Sequence, residues 1–244
     1  MAPPLLAFDR VSKTYRRGRH ENVVLDGVSF ELAAGELAAV FGRRAAGKST
    51  LLRIAAGLDA PDAGSVALNG SPLFRAGRRP RLGGLPSGVG WLQRSGPFTA
   101  SMSVVDYVAM PLLETTSSRH ARARALEALD RMAATRWADA RWQTMSDGER
   151  TLAALARATV TEPSLLLADD PVSGLDTRER EVVLGLLRDL AVTRGTTVLI
   201  TVAALPDTLR AHRIMSLSDG ELMQAARSHE RSPTTRPHHR GGTA

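Results

Sequence analysis

The chain has 244 residues, of which 43% are hydrophobic and none is cysteine; this length allows one sizeable domain, and the composition excludes disulfides and thiolate chemistry. No apolar run approaches the ~18 residues that span a bilayer, and the first residues do not resemble a secretory signal, so we expect a cytoplasmic chain. The formal charge is +7, but the arginines are scattered over every segment and aromatic residues make up only 4%, which argues against dedicated nucleic-acid binding.

The N-terminal region has the pattern of antiparallel strands. Residues 5–11 predict a first strand, residues 12–18 a polar turn, and residues 28–32 alternate between apolar and polar positions. Tyr15, in the predicted turn, has two interpretations. It is either a packed tyrosine at a strand end, which its position alone favours, or an aromatic ring that stacks on a nucleotide base.

Residues 42–50 fit the pattern G-x-x-x-x-G-K-[S/T] between a short apolar strand (36–41) and a helix (51–56) that stops at Gly57. In such a loop the backbone N–H groups point at the phosphates of a nucleotide, the lysine adds a positive charge, and the next hydroxyl binds Mg²⁺. We therefore predict a nucleotide-binding loop with Ser49 on the metal; its members are Gly42, Arg43, Arg44, Ala45, Ala46, Gly47, Lys48, Ser49 and Thr50.

The middle of the chain predicts short strands and then helices. Residues 65–68 and 89–92 are strand candidates, and the stretch 75–88 between them is a surface loop. Gln93 follows the second strand and is either a surface residue or a ligand-sensing amide. The pattern becomes helical from residue 104, and an amphipathic helix is predicted over 118–135, with Leu126, Leu129, Met132 and Ala133 on one face.

Two further segments carry candidate site residues. Ser146 and Glu149 have the spacing of a capping box at the start of a helix, which is either a plain capped core helix or a phosphate site at the helix N-terminus. Residues 164–170 predict a buried strand that ends in two carboxylates. Asp169 would hold Mg²⁺, and Asp170 would orient or deprotonate an attacking water.

The C-terminal third predicts core elements followed by a tail. A helical stripe ends near Gly195, with Val182, Val183, Leu186, Leu187 and Leu190 on one face. Strands follow at 196–202, 213–217 and 221–223. Residues 225–244 are basic, lack periodicity and are predicted to be a disordered tail, so we expect one domain over 1–224 with a helical lobe at about 94–160.

As an ordered set, these motifs resemble the ATP-binding subunits of ABC transporters over nearly the whole chain. Residues 145–149 resemble the family's signature sequence, residues 165–170 its Walker B strand and residues 173–176 its D-loop. Residues 108–113 resemble the branch that includes the lipoprotein-release, macrolide-efflux and cell-division ATPases. The resemblance implies an α/β fold: a P-loop NTPase core with a mostly parallel sheet, an N-terminal antiparallel β subdomain and a helical signature subdomain.

The resemblance also implies roles for individual residues. Tyr15 would stack on the adenine, which reverses the interpretation from position alone, and Gln93 would contact Mg²⁺ and the catalytic site while its loop senses a membrane partner. Ser146, Gly148 and Glu149 would contact ATP from a facing chain. In this family two ATPase domains sandwich ATP, the phosphate loop of one facing the signature of the other. The implied partners are thus ATP, Mg²⁺, a second ATP-binding chain (homodimer or heterodimer) and a multi-span permease that holds the chain at the inner face of the membrane.

Four residues depart from the family pattern. Asp170 replaces the catalytic glutamate and retracts the carboxylate by ~1.5 Å, and Ala203 stands at the switch-histidine position and cannot position water. Asp147 replaces a signature glycine with a negative charge, and Ala45 replaces a loop glycine, which is compatible with the loop only at negative φ. We therefore expect slow hydrolysis, with a less degenerate ATPase chain as partner or action mainly through nucleotide binding. The alternatives are an ATP-dependent regulatory or scaffold subunit and, less favoured because there is no tandem domain or coiled coil, a soluble nucleic-acid-associated ATPase.

Overall fold

A computed structural model describes residues 3–18, 20–74, 84–92, 102–208 and 210–227. Ten strands and five α-helices lie in these ranges. In chain order they are β1 Leu6–Arg17, β2 His20–Leu32, β3 Leu37–Phe41, α1 Lys48–Ala55, β4 Ala63–Leu68, β5 Ser71–Pro72, β6 Val89–Leu92, α2 Val104–Ala109, α3 Ser118–Arg131, α4 Asp147–Thr159, β7 Leu165–Asp169, α5 Thr177–Arg194, β8 Thr197–Val202, β9 Arg213–Ser218 and β10 Glu221–Arg227.

The strands form two sheets. The larger has the order β10-β9-β3-β8-β7-β6; its strands β9, β3, β8, β7 and β6 are parallel, and β10 is antiparallel at one edge. The smaller, antiparallel sheet has the order β2-β1-β4-β5. The predicted fold class is therefore confirmed: a mostly parallel core sheet, an N-terminal antiparallel sheet and a helical lobe formed by α2, α3 and α4.

The core sheet is covered on both faces, as strands with continuous apolar sequences require. Successive residues of β7 alternate between the two cores: Leu165 and Leu167 pack with α1 and the antiparallel sheet, whereas Leu166 and Ala168 pack with α5 and the helical lobe. All four side chains are fully buried. This arrangement fixes the carboxyl end of β7, where the two predicted acidic residues follow.

Several predicted element boundaries were wrong. Residues 12–17 are strand instead of turn, because β1 continues its pairing with β2 as far as the Arg17–His20 pair. Strand β10 also runs three residues beyond the predicted domain end at 224, because its pairing with β9 continues through Arg227. The remaining residues of the predicted tail, 228–244, lie outside the described ranges, as does most of the predicted surface loop.

The predicted apolar faces of two helices were partly wrong. In the helical lobe Leu126 is 39% exposed and Ala133 is exposed, since the buried face of α3 consists of Ala121, Ala125, Ala128 and Leu129. In α5, Val182 is 46% exposed. Small alanines form much of the buried face of α3, and the sequence pattern did not distinguish them from the exposed positions. No helix among the described residues is long and apolar enough to cross a membrane.

Candidate nucleotide-binding site

The phosphate loop, residues 42–50, joins the carboxyl end of β3 to α1. Lys48 is the first residue of α1, and its ammonium group donates to the carbonyl oxygen of Gly42 at 2.6 Å and to that of Arg43 at 2.9 Å. The side chain therefore lies back across the loop, with its charge held among backbone groups. Ser49, next along the helix, is exposed, so its hydroxyl is accessible to a ligand of the loop.

Two glycines of the loop are required by close backbone contacts. A Cβ atom at Gly42 would lie 2.3 Å from the carbonyl oxygen of Leu217, and one at Gly47 would lie 2.5 Å from that of Val24. Gly47 also has φ +99° where it precedes α1, a conformation that is strained for any residue with a side chain. The loop is thus held against β9 on one side and β2 on the other, which fixes the course of its backbone.

Ala45 does not have the negative φ that we expected for an alanine in this loop. Its φ is +65°, in the left-handed region that costs a non-glycine residue on the order of 1 kcal/mol. The phosphate loop turns at this position, and the neighbouring backbone contacts of Gly42 and Gly47 fix that turn. Alanine is therefore accommodated here under backbone strain.

The two predicted carboxylates follow β7 and share a threonine partner on β8. The hydroxyl of Thr201 donates to Asp169 Oδ1 at 2.6 Å, and the backbone N–H of Asp170 donates to the same hydroxyl oxygen at 3.0 Å. The Asp170 N–H lies 3.1 Å from the carbonyl oxygen of Thr201 as well. Asp170 has φ +47°, so the chain leaves the strand through a strained residue whose backbone Thr201 holds in place.

The phosphate loop and the carboxylates face one cleft of about 660 Å³, which we call the phosphate cleft. Residues 44–50 line one side, and Asp169, Asp170 and Ala203 line the other. Gly42 and Arg43 belong to the same loop through their contacts with Lys48. The structure therefore brings together most of the predicted site residues, and Ala203 lines the cleft with the two carboxylates.

The charge at the cleft is mostly positive on the loop side. Arg43 and Arg44 are exposed, and within the described part of the chain neither guanidinium group makes a hydrogen bond or an ion pair. Arg44 lines the cleft, whereas Arg43 does not. Both side chains are thus exposed, and that of Arg44 also reaches the mouth of the cleft.

Tyr15 lies outside the residues that line the phosphate cleft. It is 41% exposed, and its hydroxyl donates to Asp59 Oδ2 at 2.6 Å. Partial burial raises the pKa of the Tyr15 hydroxyl most, and the hydrogen bond to Asp59 raises it further. The Lys13 ammonium lies 5.4 Å from the ring centroid and pairs with Asp59 at 3.2 Å. The ring is thus fixed in orientation, which a stacking residue requires; that Tyr15 stacks on a base stays a prediction.

The signature segment, residues 145–149, lies in a different cleft. The capping box is confirmed: Ser146 accepts from the backbone N–H of Glu149 at 3.2 Å, and the Glu149 carboxylate accepts from that of Ser146 at 2.9 Å. Ser146, Gly148 and Glu149 line a cleft with the start of α5. A Cβ atom at Gly148 would lie 2.2 Å from Glu179 Oε1, so α5 packs directly on this glycine.

The sequence did not predict some of the residues at the phosphate cleft. Thr201 was counted only as a core residue, although a hydroxyl within the buried run of β8 was a signal for a buried polar partner. Val24 and Ser173 also line the phosphate cleft, and no sequence pattern marked Val24. Gln93 lies outside the described residues.

A metal ion at this site would need ligands beyond the protein. Within the described ranges, no group of three or more His, Cys, Asp or Glu side chains is arranged to hold one. The oxygen donors at the cleft include the Ser49 hydroxyl on the loop side and the Asp169 carboxylate on the other side. This sparse oxygen set suits Mg²⁺, which is usually bound through one or two protein oxygens together with phosphates and waters.

Comparison with known proteins gives a consistent result. The sequence profile of the ABC transporter family matches residues 25–173, more than half of the chain. A dimeric, post-hydrolysis structure of the ATP-binding cassette MJ0796 bound to ADP and Pi has a TM-score of 0.79 and 26% identity, covering 90% of this chain and 97% of that one.

Two further structures are similar. Another dimeric structure of MJ0796, described as a bacterial ABC transporter cassette, has a TM-score of 0.77 and 27% identity, covering 89% of this chain and 96% of that one. A nucleotide-free ATP-binding cassette from an ABC transporter has a TM-score of 0.79 at 19% identity, covering 93% and 92% respectively; at that identity the similarity shows the fold alone.

Proposed function

We propose that this chain, which belongs to the ABC transporter family as one of its ATP-binding cassettes, binds Mg-ATP in the phosphate cleft, hydrolyses it slowly and drives a membrane permease. The observation that carries the proposal is the cleft itself, where the glycine-fixed loop and Lys48 face Asp169 and Asp170. The similar cassette MJ0796 was solved with ADP and Pi, which supports a nucleotide as the ligand here.

Each side of the cleft has its own part in binding. The N–H groups of residues 44–50 and the N-terminus of α1 stabilise the negative charge of phosphates. Lys48, held by the carbonyl groups of Gly42 and Arg43, adds a full positive charge. Ser49 and Asp169 would hold Mg²⁺, which neutralises phosphate charge when bound, and Thr201 keeps the Asp169 carboxylate oriented.

The hydrolytic side is less complete. Asp170 is the carboxylate available to orient or deprotonate water, but it is one methylene shorter than the family's glutamate, and a misplacement of about 1 Å can cost on the order of 10² in rate. Ala203, beside it in the cleft, has no polar side-chain atom with which to hold water. Both residues weaken the same step, so we propose slow turnover with intact nucleotide binding.

The separation of the two clefts supports a dimer. Ser146, Gly148 and Glu149 do not line the phosphate cleft of their own chain, so they contact ATP only when a second ATP-binding chain faces them. MJ0796 is dimeric in both similar structures. ATP joining two half-sites would stabilise such a dimer and dissociate it after hydrolysis. The helical lobe and the loop after Gln93 would carry this motion to a permease at the inner face of the membrane.

The test is to measure ATP binding and turnover of the purified chain, alone and with a permease. We expect ATP binding that Lys48→Ala weakens roughly 30-fold, since a charge-assisted hydrogen bond contributes about 2 kcal/mol, and turnover well below one per second. Arg53→Ala, which removes a cation from the same helix outside the cleft, is the matched control and should bind normally. Fast hydrolysis by the unmodified chain would contradict the proposed weakness, and absent ATP binding would contradict the function.

A second candidate function is favoured by Asp170 and Ala203 together: a regulatory subunit that binds ATP without hydrolysing it. Phosphate release from the complex with its permease distinguishes the two. Turnover that Lys48→Ala abolishes comes from the chain's own site and indicates the slow ATPase. ATP binding with no turnover above that of the Lys48→Ala complex indicates the regulatory subunit.

A further inference from the structure

We infer that the facing chain is a second copy of this one, held by reciprocal ion pairs between Arg44 of each copy and Asp147 of the other. The inference rests on the proposed function, because it uses the dimer in which the phosphate loop of one chain faces the signature segment of the other. Asp147 replaces a glycine of the family's signature sequence, and Arg44, in the phosphate loop, carries the opposite charge.

Arg44 is an unpaired cation at the mouth of the phosphate cleft. It is exposed, lines the cleft and has no hydrogen bond or ion pair to any residue in the described ranges. Its backbone is fixed because the loop is packed against β2 and β9 through Gly47 and Gly42. The point from which the Arg44 side chain extends is therefore fixed, at the cleft that a facing chain would close.

The Asp147 carboxylate makes few contacts within its own chain. It is the first residue of α4, and its side chain is 64% exposed. Ser146 and Glu149 already cap this helix, so the Asp147 carboxylate is not needed as a cap. Its one ion pair within the described structure is a long contact of 3.4 Å with Arg150, which leaves acceptor sites free.

Arg150 is also held by other groups. Its Nε donates to the carbonyl oxygen of Trp142 at 3.1 Å, and its Nη2 to that of Gln143 at 3.3 Å. These bonds keep the guanidinium group beside the preceding turn and limit how closely it can pair with Asp147. The acid is therefore partly neutralised in the free chain and retains its capacity for a second cation.

In the head-to-tail dimer, Asp147 would otherwise bring negative charge towards the phosphates held by the facing loop. A cation on that loop offsets the repulsion, and Arg44 is on that loop in this chain. Two-fold symmetry places the same pair at both half-sites. An unlike partner with neutral residues at these two positions would leave Asp147 and Arg44 uncompensated, so charge complementarity favours a second copy.

The decisive experiment mixes two charge-reversed chains in saturating Mg-ATP and measures dimers by sedimentation. In an Arg44→Asp homodimer, each substituted loop faces the partner's Asp147, and in an Asp147→Arg homodimer, each Arg44 faces the substituted residue. Both pairings repel, so each variant alone should dimerise about 5- to 10-fold more weakly than the unmodified chain. In the mixture both half-sites are complementary, so dimers should recover.

Arg43→Asp is the matched control. It makes the same charge change one residue away, at an exposed position that does not line the cleft. Arg43→Asp alone should dimerise like the unmodified chain, and its mixed dimer with Asp147→Arg keeps one repelling half-site. A gain of dimer on mixing with Asp147→Arg that occurs for Arg44→Asp and is absent for Arg43→Asp supports the ion pair. Equal behaviour of the two mixtures overturns it.

Nucleotide binding by each separate chain distinguishes failure of the inference from failure of the proposed function. ATP binding by the unmodified chain without recovery in the mixture overturns the inference alone, whereas absent ATP binding by that chain overturns the proposed function. Where Arg44→Asp itself abolishes ATP binding, the neutral variants Arg44→Gln and Asp147→Asn decide. The double variant Arg44→Gln/Asp147→Asn should then dimerise no more weakly than the weaker of the two single variants. Losses of dimer affinity that add in the double variant overturn the ion pair.

Discussion

The two sides of the phosphate cleft differ in how their residues are supported. On the loop side, Gly42 and Gly47 sit where no Cβ atom fits, and Lys48 is held by two carbonyl oxygens. On the opposite side, Thr201 holds the backbone of Asp170 and the carboxylate of Asp169, but Ala203 contributes only a methyl group. The loop side is thus fixed by close backbone packing, whereas the support of the opposite side comes from one threonine.

Lengthening Asp170 tests this difference most directly. Asp170→Glu should raise turnover on the order of 10-fold to 10²-fold, because the carboxylate extends by about the distance whose loss is costly, and it should leave ATP affinity unchanged. Asp169→Glu is the matched control, since it lengthens the neighbouring acid and should lower turnover. Steady-state phosphate release measures both, and an unchanged rate for Asp170→Glu would show that the shorter side chain is not what limits hydrolysis.

Removing the ring of Tyr15 separates base recognition from phosphate binding. Tyr15→Ala should weaken ATP binding roughly 10-fold, as expected for loss of base stacking, while inorganic triphosphate should bind as before. Tyr15→Phe keeps the ring and loses only the hydrogen bond to Asp59, so it should bind ATP almost normally. Competition titrations measure these affinities, and equal losses for ATP and triphosphate would place Tyr15 in a structural role.

Replacing Thr201 by valine tests how the Asp169 carboxylate is supported. Thr201→Val removes the donor to Asp169, which is worth about 1 kcal/mol, so about 5-fold more Mg²⁺ should be needed for half-maximal ATP binding. Thr197→Val is the matched control because Thr197, on the same strand, bonds to Ala33 and Gly35 away from the cleft. If both variants shift the Mg²⁺ requirement equally, Thr201 acts only through stability.

Relieving the strain at Ala45 should have the smallest effect. Ala45→Gly removes a left-handed alanine and should stabilise the chain by roughly 1 kcal/mol, which raises Tm by about 2–4 °C for a chain of this size. Ala46→Gly is the control, since Ala46 is not among the residues with positive φ and glycine there should not stabilise. Thermal unfolding measures both; a lower Tm for Ala45→Gly would refute the strain.

The sequence predicted the motifs better than the limits of the elements that carry them. Residues 42–50 and the two acids after β7 were recognisable because phosphate and metal binding demand specific residue types at fixed spacing. The end of the first strand was missed because polar residues 12–17 pair in an antiparallel ladder, where backbone hydrogen bonds outweigh turn preference. The φ of Ala45 depends on contacts of the loop with β2 and β9, and the shared role of Thr201 depends on contacts between β7 and β8, so no local pattern could reveal them.

The contact between Gly148 and Glu179 has a mechanical consequence. Glu179 lies against the first turn of α4, where only glycine leaves space for it, and its carboxylate also accepts the backbone N–H of Asp176 at the start of α5. The Glu179 side chain therefore contacts the starts of both α4 and α5. Tilting α4 away from α5 would remove the support of Glu179, and a methyl group at Gly148 would displace Glu179 from its own cap. The starts of α4 and α5 are therefore mechanically coupled and should move together.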